Sequence, residues 1–554
     1  MNKLPLFKKG LSGGIQFDRD QARSHQFMVF FFLLGIIFLF AILLLRLFQL
    51  TIVKGDYYRR LSEQNRIKEL FIEPQRGEIR DRKGFVIAKN LSANTHKNDE
   101  RIKSNRVYET GEVIAPLVGY RQTADKNDFK NDNCISPLQL GDKIGKKGVE
   151  KLFDCDLRGR YGKKLIEIDA KGNYLRTLTV LPPQTGKTVQ LAFDLDLQKK
   201  AYELIKNKKA AAVGVNPKTG EILFFVSSPS FDPQAFENQE NDQIQSYLTD
   251  EKKPLFNRVT EGVYAPGSLF KLVLATGALE EKTIDEKTLV EDTGQLQAGP
   301  LKFGNWYFLQ YGKTDGMVDI VKAIRRSNDI FFYKTGEGLS PEKIKKWAGI
   351  LGYGKETGIG FNEGEGIIPS PFWKQETLKD RWYTGDTYNM SIGQGYIGVT
   401  PLQTLMVTSV FANGGSLCKP IVLKGESPEC KKLPIGQKNI NLIREGMKQA
   451  CSTGGTGWPL FDFKVFDKII PPENKESTVG AKIIYKSIQT ACKTGTAEST
   501  QITSGLPHAW ISVFAPFDDP QIALTILIEE GGQGSDVAGP IAKEILKAYF
   551  ERRE

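Results

Sequence analysis

The stretch Tyr264-Ala-Pro-Gly-Ser-Leu-Phe-Lys-Leu-Val-Leu-Ala-Thr-Gly-Ala-Leu-Glu280 decides the fold. Pro266 and Gly267 punctuate its entry, and a run of good helix formers follows that is apolar almost all round. That pattern predicts a buried helix instead of a surface one. Ser268 falls at or just inside the first turn, and Lys271 lies one turn on. Residues three apart share a helix face, so hydroxyl and amine can meet. A helix start also presents free N–H groups and positive dipole, which favour a developing anion. An amine among apolar side chains has a lowered pKa and can act as a base. Ser268 with Lys271 is therefore a candidate acyl-transfer pair.

Ser-x-x-Lys occurs three times, at Ser268/Lys271, Ser340/Lys343 and Ser416/Lys419. Ser340-Pro-Glu-Lys343 has the pattern of a helix cap with Pro at N1. Ser416-Leu-Cys-Lys419 follows Asn413-Gly-Gly and predicts a turn into a strand. Only the first precedes a long apolar helix.

Outward from this stretch, the chain has 554 residues, 40% of them apolar and 25% charged, with a net charge of +11. It has room for two or three domains. No arginine-rich stripe or aromatic–basic interleaving accompanies the positive charge, so no nucleic-acid partner is expected. The three histidines (His25, His96, His508) are scattered and no Cys/His set has zinc spacing, so neither metal nor cofactor is expected. Residues 1–26 are polar and basic, and Phe27 to Leu45 is nineteen residues without a charge. As a helix that run is about 28 Å long, enough to cross a bilayer. It is too long for a cleaved signal peptide, and Arg46-Leu-Phe-Gln-Leu has no small-residue cleavage site. We expect a cytoplasmic tail (1–26), a single-pass anchor (27–46) and everything else outside the cytoplasm. All six cysteines follow the anchor. Cys134 with Cys155 and Cys418 with Cys430 are close enough in sequence to bridge, and reduced core thiols are the alternative.

Residues 47–185 are charged and turn-rich, a pattern expected of a pedestal, with 91–134 polar enough to be largely loop. From 186 the texture changes. A helical segment after Phe193 precedes two apolar strands, Ala210 to Val215 and Glu221 to Ser227, joined by Asn216-Pro-Lys-Thr-Gly220. Helical material fills 260–450. Strands return near Lys493-Thr-Gly-Thr, at Trp510 to Ala515 and at Ile522 to Glu529, before a terminal helix, Ala538 to Arg552. The order predicts one α+β domain, 186–554, whose sheet joins both of its ends.

Two more motifs complete a serine-acylation set. Ser327-Asn-Asp329 offers a second hydroxyl to relay a proton and a carboxylate to hold a lysine; helix capping is its plain alternative. Lys-Thr-Gly occurs three times. Lys218-Thr-Gly220 lies in the hairpin turn, Lys334-Thr-Gly336 has the pattern of a glycine-capped helix end, and glutamate follows both. Lys493-Thr-Gly-Thr496 alone is followed by a neutral donor and leads into strand material. There Lys493, Thr494 and Thr496 can hold a carboxylate, while Gly495 lets a peptide lie close.

Ser-x-x-Lys, Ser-x-Asp and Lys-Thr-Gly in that order resemble the penicillin-binding proteins and serine β-lactamases. With Arg76-Gly-Glu-Ile-Arg-Asp-Arg, Gly148-Val-Glu, Ser227-Ser-Pro-Ser-Phe-Asp-Pro233 and Ser391-Ile-Gly-Gln-Gly395, the chain is most similar to class B members of the elongation type (penicillin-binding protein 2). The resemblance implies a single N-terminal transmembrane helix in a bacterial cytoplasmic membrane. It further implies a β-rich, dimerisation-type pedestal (47–185) with a reduced head, and a transpeptidase domain (186–554) whose antiparallel sheet is flanked by helices. It implies a D,D-transpeptidase that cross-links peptidoglycan stem peptides ending in D-Ala-D-Ala and is acylated by β-lactams, with a membrane glycosyltransferase and scaffold proteins as partners. Ser268 is then the nucleophile, Lys271 its base, Ser327 the relay, Asp329 the positioning carboxylate and Lys493 a source of positive potential. Asn328, Thr494, Gly495 and Thr496 are the substrate contacts. Asp329 stands where many relatives carry Asn, and Cys492 where a glycine usually precedes Lys-Thr-Gly; facing away from Lys493 on a strand, Cys492 is expected to be a core thiol. A carboxypeptidase or lactamase would use the same motifs but lacks support from any Glu-bearing deacylation motif. A sensor or scaffold reading is opposed by the intact Ser268, Lys271 and Lys493.

Overall fold

In the computed structural model the apolar run forms a helix, Arg19–Phe48, that continues through a wide turn, Gln49–Val53. The structure describes residues 19–92, 104–169, 171–470, 482–498 and 505–552. Phe27–Val53 is long and apolar enough to span a membrane, and none of it is buried against the protein. The chain divides into two compact units, one running up to Ile72 with Gly162–Pro182, the other Glu73–Tyr161 with Pro183 onward. Residues 47–185 are thus shared between them.

In the first unit, the amphipathic helix Gly55–Arg66 leads into Ile67–Ile72, which pairs antiparallel with Gly162–Ile168, itself paired with Tyr174–Leu181.

The second unit begins with a small sheet in which Val86–Ser92 lies between Ser104–Tyr108 and Ile79–Arg80, with Val189–Gln190 at the edge. Here one expectation fails. Of the segment 91–134, the part from 104 onward carries a strand, Ser104–Tyr108, and short helices, Ala115–Val118 and Lys126–Lys130; 93–103 lies outside the described residues. Its polar composition conceals buried ion pairs. Arg76 and Arg106 both bond Glu150, at 2.7 and 2.8 Å, and Arg121 bonds Glu237 at 2.7 Å. Burial would raise the Glu150 carboxyl, but the Arg106 and Arg76 guanidiniums overcome it and hold the group at about 2.

The five-stranded sheet contains β1 (Ala210–Val215), β2 (Ile222–Ser228), β3 (Ala491–Ala497), β4 (His508–Ala515) and β5 (Ile522–Ile528). Their spatial order is β2-β1-β5-β4-β3, antiparallel throughout, so strands from both ends of the domain meet at β1 and β5. Side chains alternate faces along a strand, and the sheet divides its apolar residues accordingly. Ala212, Phe224, Ile511 and Ile526 pack with α1 (Leu195–Ile205) and the terminal helix α7 (Gly539–Glu551). Ala211, Phe225, Trp510 and Leu527 face a helical layer. That layer includes α2 (Lys271–Glu280), α3 (Ile320–Arg326), α4 (Asp329–Leu339), α5 (Pro401–Ala412) and α6 (Gln437–Ala450). Every residue of α5 is buried, as is every residue of α2 except Glu280, which is why neither sequence shows a polar stripe.

The other copies of the short motifs fall largely as their surroundings suggest. Ser340 precedes Pro341–Leu351 with Pro at N1, though its hydroxyl makes no cap bond. Ser416–Cys418 is a short strand, and Gly220 takes φ +84° in the β1–β2 turn. Lys334-Thr-Gly336 differs: it lies inside α4, where Gly336 admits the Ser391 hydroxyl, 1.8 Å from where a Cβ would stand.

All six cysteines are paired, as Cys134–Cys155, Cys418–Cys430 and Cys451–Cys492. Cys492 is therefore not a free core thiol. Its partner ends a helix 41 residues earlier, too far along the chain for spacing to suggest the pair.

Candidate active site

Ser268 lies in a 3-10 turn, Gly267–Phe270, that opens α2. The turn is held from two sides. Gly267 N–H donates to the Gly393 carbonyl at 2.9 Å, and the Trp510 indole donates to the Ala265 carbonyl at 3.1 Å. Tyr264, at the entry, donates to Glu529 just beyond β5 at 2.7 Å. The turn also presses on β3. A Cβ on Gly267 would stand 2.7 Å from the Thr496 carbonyl oxygen, and one on Gly495 would stand 2.9 Å from the Pro266 carbonyl oxygen. Glycine at both positions lets the Ser268 turn lie against the strand.

Lys271, one turn on, is wholly buried and directs its amine to the Ser327–Asp329 turn. Nζ donates to the Asp329 carboxylate at 2.6 Å, to the Ser327 carbonyl at 2.7 Å and to Ser327 Oγ at 3.3 Å. Ser327 ends α3 with φ +54°, a left-handed conformation that costs a non-glycine residue about 1–3 kcal/mol and survives only where surroundings enforce it. Lys493, also wholly buried, enters from β3, and its Nζ donates to Ser327 Oγ at 2.8 Å. The Ser327 hydroxyl thus bridges the Ser-x-x-Lys helix and the Lys-Thr-Gly strand. Ser268 itself is half-buried, and its hydroxyl makes no hydrogen bond among the described residues.

Two buried amines share one carboxylate. Burial lowers the Lys271 amine, and Asp329 offsets part of that effect. Lys493 falls well below its ordinary value, through burial first and the Lys271 charge second, with Asp329 giving only partial compensation. With one carboxylate for two buried amines, the site favours a single positive charge shared across the Ser327 hydroxyl, so that Lys271 can be the neutral amine when Lys493 carries the proton. Such a pair can take up a proton and pass one on through the intervening hydroxyl.

The remaining expected contacts divide. Gly495 serves close approach, as above. Thr494 and Thr496 share the strand face opposite Lys493. Thr496 is exposed, and its hydroxyl accepts a long bond from Gly534 N–H at 3.4 Å, whereas Thr494 is buried and its hydroxyl donates to Thr456 at 2.8 Å. Asn328 is placed elsewhere. It is fully buried, caps α4 through Phe331 N–H, and donates its amide to Asp292 and Asp315 at 2.8 and 3.2 Å. Those bonds commit its side chain to shaping the loop.

Several supporting residues lie outside the three catalytic-type motifs. Trp306 backbone N–H donates to Asp329 Oδ2 at 2.9 Å, and Asn305 accepts from Asp329 N–H at 3.1 Å. Asp292 in turn accepts from both the Asn305 and the Asn328 amides, at 2.8 Å each. The Gln394 side chain donates to the Thr496 carbonyl at 3.3 Å and accepts from Glu498 N–H, bracing the end of β3. Gln394 lies in the Ser391-Ile-Gly-Gln-Gly395 segment, the one sequence signal that points to it.

The model of the penicillin-binding-protein transpeptidase domain matches residues 210–547, and that of the penicillin-binding-protein dimerisation domain matches 99–191. The peptidoglycan D,D-transpeptidase MrdA of Haemophilus influenzae is 29% identical, over 94% of this chain and 91% of its own length. Among solved structures, penicillin-binding protein 2 of Helicobacter pylori, in a complex with MreC, is 28% identical with a TM-score of 0.72, covering 87% of this chain and 99% of that one. Penicillin-binding protein 2 of Pseudomonas aeruginosa, in complex with WCK 5153, is also 28% identical with a TM-score of 0.72, covering 88% and 97%. Three motifs brought together at the edge strand of an antiparallel sheet, and a family match across most of the chain, agree: the chain belongs to the class B penicillin-binding proteins of the elongation type, which are peptidoglycan D,D-transpeptidases.

Proposed function

We propose that Ser268 is the acylated residue, that Lys271, Ser327, Asp329 and Lys493 form its proton-transfer machinery, and that the donor is a stem peptide ending in D-Ala-D-Ala. The observation that carries this reading is the Ser327 hydroxyl held between two buried amines, 3.3 Å from Lys271 and 2.8 Å from Lys493, beside the Ser268 turn. Ser268 Oγ attacks the penultimate D-alanine carbonyl as Lys271 takes its proton. The C–N bond then breaks, and a proton delivered through Ser327 leaves with the terminal D-alanine amine. Asp329 holds Lys271 in place. The N–H groups of Ser268 and Thr496 receive the oxyanion, while Lys493 and Thr496 favour the terminal carboxylate. Thr494 acts through its bond to Thr456. An amine from a second stem peptide displaces the ester and forms the cross-link. β-Lactams acylate the same oxygen by opening their ring amide.

The proposal includes the division into tail (1–26), anchor (27–46), pedestal (47–185) and transpeptidase domain (186–554); the apolar helix Phe27–Val53 supports the anchor, and the two family matches support the last two parts. It also includes a cytoplasmic N-terminus with the catalytic domain outside the membrane, from the basic residues before the span. The Helicobacter relative's complex with MreC supports a scaffold protein as a partner. A membrane glycosyltransferase is the other partner proposed.

Product analysis tests this function. Purified full-length protein given a pentapeptide donor and an acceptor amine forms the amide dimer and releases D-alanine, with the adduct located on Ser268 by mass spectrometry. Release of D-alanine with hydrolysis alone would make the protein a carboxypeptidase.

The site also sets a pH dependence. Both lysine amines lie below the ordinary lysine value of about 10.4. Above its folded-state value an amine is neutral and can accept a proton; below that value it is charged and cannot. Penicillin acylation therefore falls as pH drops, along a limb centred below the ordinary lysine range. Between the folded and unfolded values the folded protein binds fewer protons, so stability rises with pH across that same window. Labelling rates measured across pH check this, and a limb centred at the ordinary lysine value would remove the neutral-amine account.

A further inference from the structure

The loop 451–457 belongs to none of the motifs, yet it is fastened to both sides of the Ser327–Lys493 contact. It begins at Cys451, directly after α6, and returns to that helix where Gly457 N–H donates to the Ala450 carbonyl at 2.8 Å. On the strand side, the Cys451–Cys492 disulfide seizes β3 at the residue before Lys493, and both cysteines are buried. The Thr494 hydroxyl, one residue past Lys493, donates to Thr456 at 2.8 Å. The chain crosses directly over the bridge: a Cβ on Gly457 would stand 2.4 Å from Cys492 Sγ.

On the other side, Arg325 donates to the Thr453 carbonyl at 3.0 Å and Arg326 to the Gly454 carbonyl at 3.2 Å. These arginines are the two residues immediately before Ser327. Their helix packs tightly on the one that carries the loop, since a Cβ on Gly446 would stand 2.7 Å from Ile324 Cβ. One short loop therefore grips β3 at 492 and 494 and grips the Ser327 turn at 325 and 326. The 2.8 Å contact between Lys493 Nζ and Ser327 Oγ lies between those grips.

We propose that the loop 451–457, stapled by the Cys451–Cys492 disulfide, is a positioning clamp that sets the register of the Lys-Thr-Gly strand against the Ser327 turn, with Thr456 as its contact to the strand. It touches no reacting atom and acts through Lys493, Thr494 and Ser327. The proposal rests on the reading of Ser268 as the acylated residue. A misplacement of about 1 Å in a catalytic constellation costs on the order of 10²-fold in rate. A clamp must therefore show itself in the chemical step, whereas a mere staple shows itself only in the folded fraction.

The test uses full-length protein in detergent and a fluorescent penicillin, with the acylation constant divided into its binding and chemical parts and normalised to titrated sites. Cys451→Ala/Cys492→Ala and Thr456→Val each lower the chemical step by about 10- to 100-fold with little change in binding. Thr456→Ser, which keeps the hydroxyl, stays within about threefold of wild type, as does Cys418→Ala/Cys430→Ala, which removes a disulfide outside the clamp. If the double cysteine variant does not fold, the Thr456→Val and Thr456→Ser pair decides. Normal chemical steps in Thr456→Val and in every folded cysteine variant, accompanied only by a lower Tm, overturn the clamp and leave the acylation reading intact. A wild-type protein that forms no adduct on Ser268 overturns both.

Discussion

Ser268→Ala abolishes covalent labelling by a fluorescent penicillin and leaves the thermal transition almost where it was. Removing a serine nucleophile costs on the order of 10⁶ in rate. The side chain lost is small, half-buried and without a hydrogen bond among the described residues, so folding loses little. The informative rival is Ser327, which has the closer lysine contacts of the two hydroxyls. It is the poorer nucleophile by position. It is buried, its oxygen receives bonds from two amines, and its backbone is fixed in a left-handed turn. Ser268 lies in a turn against the strand, with its oxygen uncommitted among the described residues. Ser327→Ala should therefore slow labelling without moving it. Gel fluorescence with peptide mapping checks both variants. Adduct surviving in Ser268→Ala and lost in Ser327→Ala would reassign the nucleophile.

Lys271→Ala lowers the acylation rate by about 10³- to 10⁴-fold, at the upper end of what a positioned proton acceptor contributes. The loss has two parts. The first is the amine itself. The second is electrostatic: the Lys271 charge helps to depress the Lys493 amine, so its removal lets Lys493 regain a proton beside Ser327. Asp329, deprived of its partner at 2.6 Å, then turns its charge toward Lys493. No neutral amine remains. Lys271→Arg does not rescue the rate, because a guanidinium stays charged. Time-resolved labelling, normalised to folded protein by its Tm, measures the effect. A loss within tenfold would move the base elsewhere, and a larger loss in Lys493→Ala would identify where.

Chemistry carried by short spacing is legible in the sequence. Ser268 and Lys271 share a helix face, and the unbroken apolar run behind them marks that helix as buried. Lys493 stands out among three Lys-Thr-Gly copies because a neutral threonine, not a glutamate, comes after the glycine, and it meets Ser327. The five-stranded sheet is legible because β-rich runs stand at both ends of a helical middle. The contacts that orient these groups are not legible. Asn305 and Trp306 reach Asp329 from 24 and 23 residues away, and Asp292 orders Asn305 and Asn328 from 13 and 36 residues away. Nothing in local pattern marks such bonds, because tertiary packing creates them. Asn328 turns inward to Asp292 and Asp315 because adjacency in a motif does not fix where a side chain points; the cap it supplies to α4 directs it there. Likewise the segment from 104 to 134 reads as loop when its arginines are counted as solvated, whereas Arg106 and Arg121 are buried against Glu150 and Glu237.

The outermost strand of the large sheet, Ala491–Ala497, has a neighbour on one side only among the described residues. In most proteins such an unfinished border invites sticky association with other chains. Here it is only seven residues long, and the turn at Pro266 and the Gln394 amide crowd it. What can be added is a single extended peptide, completing the sheet as one more strand. A guest seated that way is recognised by the direction of its main chain and by its terminal charge more than by its side chains. Under the function proposed above, such a strand would tolerate variety in the body of the donor while insisting on how it ends.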